Sequence, residues 1–111
     1  MVKYIPKQGD IVYLDFNPIK GHEQRGIRPA IVISNSTFNE YTKMVILCPI
    51  TSNTKIFPTH YILEDTKKIK GSVLCEHIRS IDYESRKIKF VEHASENDLL
   101  SVITLSNACI E

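Results

Sequence analysis

The sequence lacks tryptophan, a marked excess of charge of either sign, and any long apolar run. Aromatic residues make up only 8% of the 111 residues, which argues against a groove that recognises proline-rich peptides. The formal net charge of +1 is too small to indicate a nucleic-acid-binding protein, so any such site must be a local cluster of Lys and Arg. No run approaches the ~18 apolar residues that cross a bilayer, and the start lacks the apolar stretch of a signal peptide. These absences predict a cytoplasmic protein without a membrane segment.

Cysteine and histidine show no pattern that indicates a metal site or a disulfide framework. The cysteines, Cys48, Cys75 and Cys109, are odd in number and lie in apolar surroundings, so we expect buried thiols. The four histidines lack metal-ligand spacing. We therefore expect neither a metal nor another cofactor.

The length and composition fit one compact domain over residues 1–111, because 42% apolar and 24% charged residues are average for a globular chain. Short segments rich in β-branched and aromatic residues, each bounded by turn residues, predict six strands. These segments are residues 10–18, 28–34, 43–50, 59–63, 71–81 and 87–93. A polar loop is expected at 20–28, and residues 34–41 favour a short helical turn.

One helix is predicted, near the C-terminus. Ser95 and Asp98 have the spacing of an N-terminal capping pair, and the apolar residues that follow fall near one helical face up to about Ala108. Six short strands without crossover helices exclude a parallel sheet. The sequence therefore predicts a mainly β protein of the β-rich α+β kind, a small and strongly bent barrel or sandwich with a C-terminal helix.

The loop at 20–28 contains residue types that could bind a phosphate. Glu23, Arg25 and Arg28 lie close together there, and Gly21 and Gly26 let the backbone turn freely. From composition alone, a solvated loop whose charges only keep the protein soluble explains the same residues. The residues themselves leave both interpretations open.

A longer stretch around this loop resembles a known family. The run GDIVYLDFNPIKGHEQRGIRPAIVIS, residues 9–34, is similar to the opening of the MazF/PemK ribonuclease toxins, with a Gly-Asp pair, a strand, a GxEQxGxRP loop and an apolar strand in that order. Two further blocks agree, Pro49-Ile50-Thr51-Ser52 after the third predicted strand and HIRSID at 77–82. The resemblance spans residues 9–83.

The resemblance implies an SH3-like β-barrel toxin of a type II toxin–antitoxin system. Such a toxin would act as an mRNA interferase, a sequence-specific and metal-independent endoribonuclease that cleaves single-stranded RNA. It also implies a homodimer and a cognate, MazE-like antitoxin with a flexible acidic segment.

Cleavage of RNA without a metal uses the ribose 2′-hydroxyl as nucleophile and needs a base, positive charge at the phosphorane and a proton for the leaving 5′-oxygen. Arg28 matches the arginine of the family's RP pair and can present a fixed fork of donors to two phosphate oxygens. We assign it electrostatic stabilisation, because a guanidinium is not deprotonated in proteins. Thr51 matches the family's threonine and can hydrogen-bond the phosphate, and Glu23 is the candidate base. The alternatives are a structural ion pair for Arg28 or Glu23 and a turn role for Thr51.

Five more residues are candidates for substrate binding. Gln24 could contact a base edge or a backbone group, and Ser52 could assist Thr51. His77 and Arg79, two apart on one predicted strand, should face the same side, where Arg79 could hold a neighbouring phosphate and His77 could stack on a base or donate a proton. His77 stands where relatives often carry Gln. Arg25 replaces a small residue common in the family, which could alter target preference. Six basic residues elsewhere could extend the RNA path or simply be solvated, namely Lys67, Lys68, Lys70, Arg86, Lys87 and Lys89.

Two other functional classes fit the same predicted fold, since a fold does not fix a function. One is a toxin that poisons DNA gyrase, which is not expected to need the EQxGxRP loop together with a threonine after the third strand. The other is a non-catalytic SH3-like binding module, which the absence of tryptophan disfavours.

Overall fold

The computed structural model describes residues 4–16 and 26–111, and it contains strands and two helices in this part of the chain. The strands are β1 (Asp10–Asp15), β2 (Ile27–Val32), β3 (Met44–Thr51), β4 (His60–Ile62), β5 (Ser72–Leu74), β6 (Arg79–Asp82) and β7 (Lys89–His93). The helices are α1 (Ser36–Thr42) and α2 (Glu96–Ile110). The short helical turn predicted after the second strand is therefore confirmed as α1.

Within the described residues, all strands join one antiparallel sheet in the order β4-β5-β3-β2-β1-β7, and β6 also pairs with β3. Strand β3 has two partners along one edge, because its first half, Met44–Leu47, pairs with β6 and its end, Ile50–Thr51, pairs with β5. No ladder joins β4 to β7 in these ranges, so the sheet is bent but not closed. The predicted mainly β architecture with a C-terminal helix is confirmed.

Both faces of the sheet are covered, since successive side chains of a strand point to opposite faces. Ile11 and Ile31 pack on one face in a buried cluster that includes Val102 of α2. Val12 and Val32 pack on the other face, in a second cluster with Tyr83. The two apolar layers fix the register of the central strands, because a slip of one residue would exchange the two faces.

Helix α2 begins as predicted, with Ser95 as its N-cap and the Ser95 hydroxyl accepting the Asp98 N–H at 3.0 Å. The Asp98 carboxylate does not complete a reciprocal capping pair. It is fully buried and accepts the Tyr61 hydroxyl at 2.6 Å and the backbone N–H groups of Asp65 and Glu64 at 3.0 and 3.2 Å. Asp98 thereby fastens the segment after β4 to the helix. In the ranges described, neither helix is long and apolar enough to cross a membrane.

The single strand predicted over 71–81 is wrong, because a turn separates β5 from β6. The Cys75 N–H donates to the Thr59 carbonyl at 3.1 Å, and the His77 N–H donates back to the Leu74 carbonyl at 3.0 Å. The chain turns there without glycine, proline, asparagine or aspartate, which are the usual turn residues. Seven strands result in the described residues instead of the predicted six.

The expected burial of the cysteine thiols holds for Cys48 and Cys75 and is wrong for Cys109, which is exposed in the last turn of α2. Burial raises the pKa of Cys48 to about 11 and that of Cys75 to about 12. Neither buried thiol is ionised at neutral pH, so neither is an activated nucleophile.

Candidate active site

A cleft of about 500 Å³ opens where β2 begins and β3 ends. Its lining combines basic, hydroxyl and apolar side chains, namely Tyr13, Arg28, Pro29, Ile50, Thr51, Ser52, Lys68, Ile69 and Lys70. Three of the nine described lining residues are basic and none is acidic, which gives the cleft a local positive charge despite the small net charge of the protein.

Arg28, the residue shared by the predicted loop 20–28 and the predicted strand 28–34, lies on the strand, because β2 already begins at Ile27. The ladder pairs Ala30 with Pro49 and Val32 with Leu47, and the same register continued toward the start of β2 brings Arg28 opposite Thr51. Arg28 is exposed, and its guanidinium has no hydrogen-bond or ion-pair partner among residues 4–16 and 26–111. A rigid strand therefore presents a free fork of donors to the cleft.

Thr51 ends β3 and is only partly exposed. Its hydroxyl oxygen accepts the Asn53 N–H at 3.2 Å, so Thr51 does form the turn that its sequence position also suggested. The bond occupies the oxygen and leaves the hydroxyl proton available for donation. Thr51 can thus serve the turn and a phosphate oxygen at once, with the exposed Ser52 beside it in the cleft lining.

A basic loop, residues 67–70, contributes Lys68, Ile69 and Lys70 to the cleft lining. The N–H groups of Lys67, Lys68 and Ile69 donate to the carboxylate of Glu92 on β7, at 2.9, 2.9 and 2.8 Å. Ile69 is 7% exposed and belongs to the core, while Lys68 and Lys70 line the cleft. Glu92 and the buried Ile69 therefore hold the loop in place, while Lys68 and Lys70 border the cleft.

Gly71, which follows this loop, lies against the backbone of Thr51. Its φ of +146° is strained for any other residue, and a Cβ atom built there would lie 2.2 Å from the Thr51 carbonyl oxygen. The Leu63 N–H also donates to the Gly71 carbonyl at 3.0 Å. Glycine at this position lets the two backbones approach closely enough for the Thr51–Ser72 pairing of β3 with β5.

Sequence reasoning missed Tyr13 and gave Lys68 and Lys70 no specific role. Tyr13 is 37% exposed on β1 between the buried Val12 and Leu14. That alternation was the available signal, because it left an aromatic ring on the solvent side of a core strand. No local signal could bring the two lysines to Arg28, since the β5–β3 pairing that does so is non-local.

His77 and Arg79 do not join this cleft lining, and the expectation that they share one strand face is wrong. His77 lies in the turn before β6, with Nε2 at 3.6 Å from the Glu76 carboxylate. The Arg79 guanidinium lies over the Phe16 ring, 4.9 Å from its centroid, at the end of the first described range.

Arg86 is structural, since its guanidinium donates to the carbonyls of Asp15 and Phe16 at 3.2 and 3.3 Å.

Three candidate residues, Glu23, Gln24 and Arg25, lie outside the described residues. Among the described residues, the Phe16 N–H donates to the Gly26 carbonyl at 2.9 Å, and Gly26 stands two residues before Arg28.

A second cleft, of about 340 Å³, shares Thr51 with the first and is lined by Asn53, Lys55, Phe57, His60 and Leu74. At its edge His60 Nε2 lies 3.0 Å from Glu76 Oε2, and the Thr59 hydroxyl donates to Glu76 Oε1 at 2.8 Å. Burial acts to raise the pKa of Glu76, but these hydrogen bonds outweigh it and the pKa is lowered. Glu76 is therefore a carboxylate at neutral pH, committed to holding His60.

Comparison with known proteins identifies the family of this protein. Residues 7–105 match the family model described as PemK-like, MazF-like toxin of type II toxin-antitoxin system. The chain belongs to the PemK/MazF toxin family. The family resemblance read from the loop and strand motifs is therefore confirmed.

Relatives within the PemK/MazF family include the endoribonuclease toxin MazF of Escherichia coli (strain K12), 36% identical over 84 residues that cover 76% of this chain and 75% of the relative. Endoribonuclease MazF of Staphylococcus saprophyticus is 42% identical over 88 residues, 75% of this chain and 73% of the relative. These family members are endoribonucleases, so neither a gyrase poison nor a non-catalytic binding module is favoured.

Solved structures of the family have the same fold. The crystal structure of MazF (Form-I) from Deinococcus radiodurans is similar with a TM-score of 0.86 and 35% identity, covering 97% of this chain and 98% of that one. A MazE-MazF crystal structure (Form-II) from the same organism gives a TM-score of 0.84 at 30% identity, covering 97% of both chains. The strand order described above is thus that of a MazF toxin.

Proposed function

We propose that this toxin is a sequence-specific, metal-independent endoribonuclease that cleaves single-stranded RNA through attack of the ribose 2′-hydroxyl on the adjacent phosphate. The observation that carries the proposal is that Arg28 and Thr51 line one basic cleft together with Lys68 and Lys70. Naming of its relatives as endoribonucleases supports the same class of reaction. The nucleophile belongs to the substrate, which explains why no activated thiol is needed.

Arg28 and Thr51 in the cleft supply one of the three requirements of the reaction, the stabilisation of the charged phosphorane. The 2′-oxygen forms a bond to phosphorus, the bond from phosphorus to the 5′-oxygen breaks, and a cyclic phosphate and a 5′-hydroxyl result. Arg28 donates two N–H bonds to the non-bridging oxygens as their charge grows, and a preorganised donor of this kind is the largest single contribution in many enzymes. The Thr51 hydroxyl donates its free proton to the same phosphate.

We assign proton removal from the 2′-hydroxyl to Glu23, because none of the described cleft-lining residues is a carboxylate or imidazole. Gln24 and Arg25 of the same segment, together with Ser52, contact the substrate beside the scissile phosphate. His77 and Arg79 lie away from the described cleft lining and bind flanking nucleotides, where the guanidinium of Arg79 already stacks on an aromatic face. The leaving 5′-oxygen takes up a proton as its bond to phosphorus breaks, which gives the 5′-hydroxyl end.

Incubation of the purified protein with single-stranded RNA in excess EDTA is expected to yield fragments with a 5′-hydroxyl and a cyclic or 3′-phosphate end. End-group analysis of the fragments checks this. An oligonucleotide of the same sequence with deoxyribose at the cleaved position is the matched control, since it lacks only the nucleophile. A requirement for a divalent ion, or equal cleavage of the all-deoxy substrate, contradicts the proposed chemistry.

The partners we propose are a second copy of this chain and a cognate, MazE-like antitoxin. Large apolar side chains on the surface support a homodimer, among them Leu100 and Ile110 on α2, which are 63% and 70% exposed. The basic cleft supports an antitoxin segment rich in Asp and Glu that lies where the RNA binds. Such a segment is disordered when free and folds as it binds.

The antitoxin, expressed from the neighbouring reading frame, is expected to inhibit RNA cleavage by competition, and inhibition should weaken as salt rises because the shared contacts are electrostatic. Titration followed both by cleavage rate and by binding of a non-cleavable RNA checks this. Sedimentation in the same buffers should give twice the 12.7 kDa mass for the toxin alone. Tight binding of the antitoxin that leaves RNA affinity unchanged rules out a shared site.

A further inference from the structure

Glu92 is an acidic residue whose carboxylate points at backbone and not at a basic side chain. It lies on β7 opposite Ile11, next to the irregularity in the pairing of β1 with β7. Its Oε1 accepts the Lys67 N–H at 2.9 Å, and its Oε2 accepts those of Lys68 and Ile69 at 2.9 and 2.8 Å. Three consecutive N–H groups thus converge on one carboxylate.

Consecutive N–H groups that point into one concavity bind an anion well, because their dipoles add at a single point. Here the protein supplies the anion itself. Burial acts to raise the pKa of Glu92, but the three backbone hydrogen bonds outweigh it and the pKa is lowered. The carboxylate is therefore ionised at neutral pH and accepts all three bonds as charge-assisted ones.

The bonds to Glu92 are part of a small network that fixes the shape of the loop. The Thr66 hydroxyl donates to the Ile69 carbonyl at 2.6 Å, and the Lys70 ammonium donates to the Thr66 carbonyl. That ammonium has three donors, so others are left for a ligand. Lys68 and Lys70 of this loop line the same cleft as Arg28 and Thr51.

We propose that Glu92 is a positioning residue for RNA, whose carboxylate holds loop 67–70 in the shape that brings Lys68 and Lys70 to the phosphates flanking the scissile bond. The inference rests on the proposed ribonuclease function, and it explains what places the charges of Lys68 and Lys70 at the cleft. An acidic side chain thereby strengthens the binding of a polyanion, since its hydrogen bonds go to backbone N–H groups and its attraction to the Lys68 charge is the smaller effect.

Glu92→Gln tests this with almost no change in size. A glutamine has one acceptor oxygen and one donor group, so at least one of the three N–H groups would face another donor. We expect the KM for RNA to rise about tenfold, the loss from roughly two weakened ion contacts. The kcat should stay within about twofold, because contacts made equally in ground and transition state change KM alone.

Salt dependence gives a second readout that a merely structural role would not change. Each phosphate contact on a single strand contributes about 0.7 to the slope of log affinity against log salt. Loss of both lysine contacts should therefore make the slope for Glu92→Gln shallower by about 1.4. Glu40→Gln, an exposed acid on α1, is the matched control that removes the same charge and should leave slope and KM unchanged.

The Lys68→Ala/Lys70→Ala double variant shows whether Glu92 acts through the lysines. It should match the KM and salt slope of Glu92→Gln, and adding Glu92→Gln to it should change neither further. Wild-type KM and slope in the double variant overturn the proposal even if Glu92→Gln fails to fold. Additive effects overturn it as well, because they would mean that Glu92 acts by another route.

Amide hydrogen exchange separates failure of this inference from failure of the proposed function. The amides of Lys67, Lys68 and Ile69 should be protected in the wild type and exchange faster in Glu92→Gln, a result that needs no RNA. If the wild type does not cleave RNA, the proposed function fails while the exchange result still reports on the loop. If it cleaves RNA and exchange at these amides is the same in both proteins, Glu92 does not hold the loop and the inference is wrong.

Discussion

Replacement of Arg28 by alanine is expected to lower kcat on the order of a hundredfold or more while the fold survives, because it removes one preorganised donor to the transition state. Arg28 is exposed on β2 and has no partner among the described residues, so its loss breaks no ion pair there. Single-turnover cleavage of a defined RNA measures the loss, and circular dichroism verifies the fold.

Two variants sharpen the test. Arg28→Lys keeps the charge but loses the planar fork, so its rate should fall between those of wild type and Arg28→Ala. Thr51→Ala should lose less than Arg28→Ala, because one hydroxyl proton is removed and the positive charge stays. Near wild-type cleavage by Arg28→Ala, or a loss fully explained by unfolding, would mean that the arginine is not catalytic.

Replacement of Gly71 by alanine is expected to destabilise the protein by about 2–4 kcal/mol and to lower kcat by at least about tenfold. The added Cβ would lie 2.2 Å from the Thr51 carbonyl oxygen, and φ at this residue is +146°. The obstacle is backbone and cannot rotate away, so the end of β3 must move and carry the Thr51 hydroxyl with it. Urea denaturation measures the stability, and cleavage at a temperature where the variant is folded measures kcat.

Gly9→Ala is the matched control, since Gly9 also has a positive φ, +96°, but its added Cβ would contact side-chain atoms of His93 and Leu99 at 3.2–3.3 Å. It should lose stability from backbone strain and keep kcat when folded. Equal kcat in Gly71→Ala and wild type would show that the close approach of Gly71 does not set the position of Thr51.

Elements with a strong local pattern could be predicted from the sequence. The central strands carry runs of β-branched residues, and Ser95 marks the start of α2 by a capping bond that the structure contains. The turn between β5 and β6 could not be predicted, because contacts of Cys75 with Thr59 and of Glu76 with Thr59 and His60 take the place of turn residues. Those partners are distant in sequence, so no window around the turn contains the signal.

Some residues of the candidate site could likewise be predicted from local sequence motifs, and others could not. Arg28 and Thr51 are adjacent to recognisable motifs, and the cleft contains both. Tyr13, Lys68 and Lys70 join them only through strand pairing and through the carboxylate of Glu92, none of which a local pattern records. The error over His77 followed from the missed turn, since strand alternation was applied across a segment that is not one strand.

The tie between loop 67–70 and Glu92 has a consequence for the order in which the toxin is completed during translation. Arg28 and Thr51 belong to strands that leave the ribosome early, whereas the acceptor for the Lys67, Lys68 and Ile69 amides lies on the last strand. Domains of this kind, built from contacts distant in sequence, fold only once the late segments are available. The nascent toxin therefore contains Arg28 and Thr51 well before loop 67–70 acquires the acceptor that holds it in place.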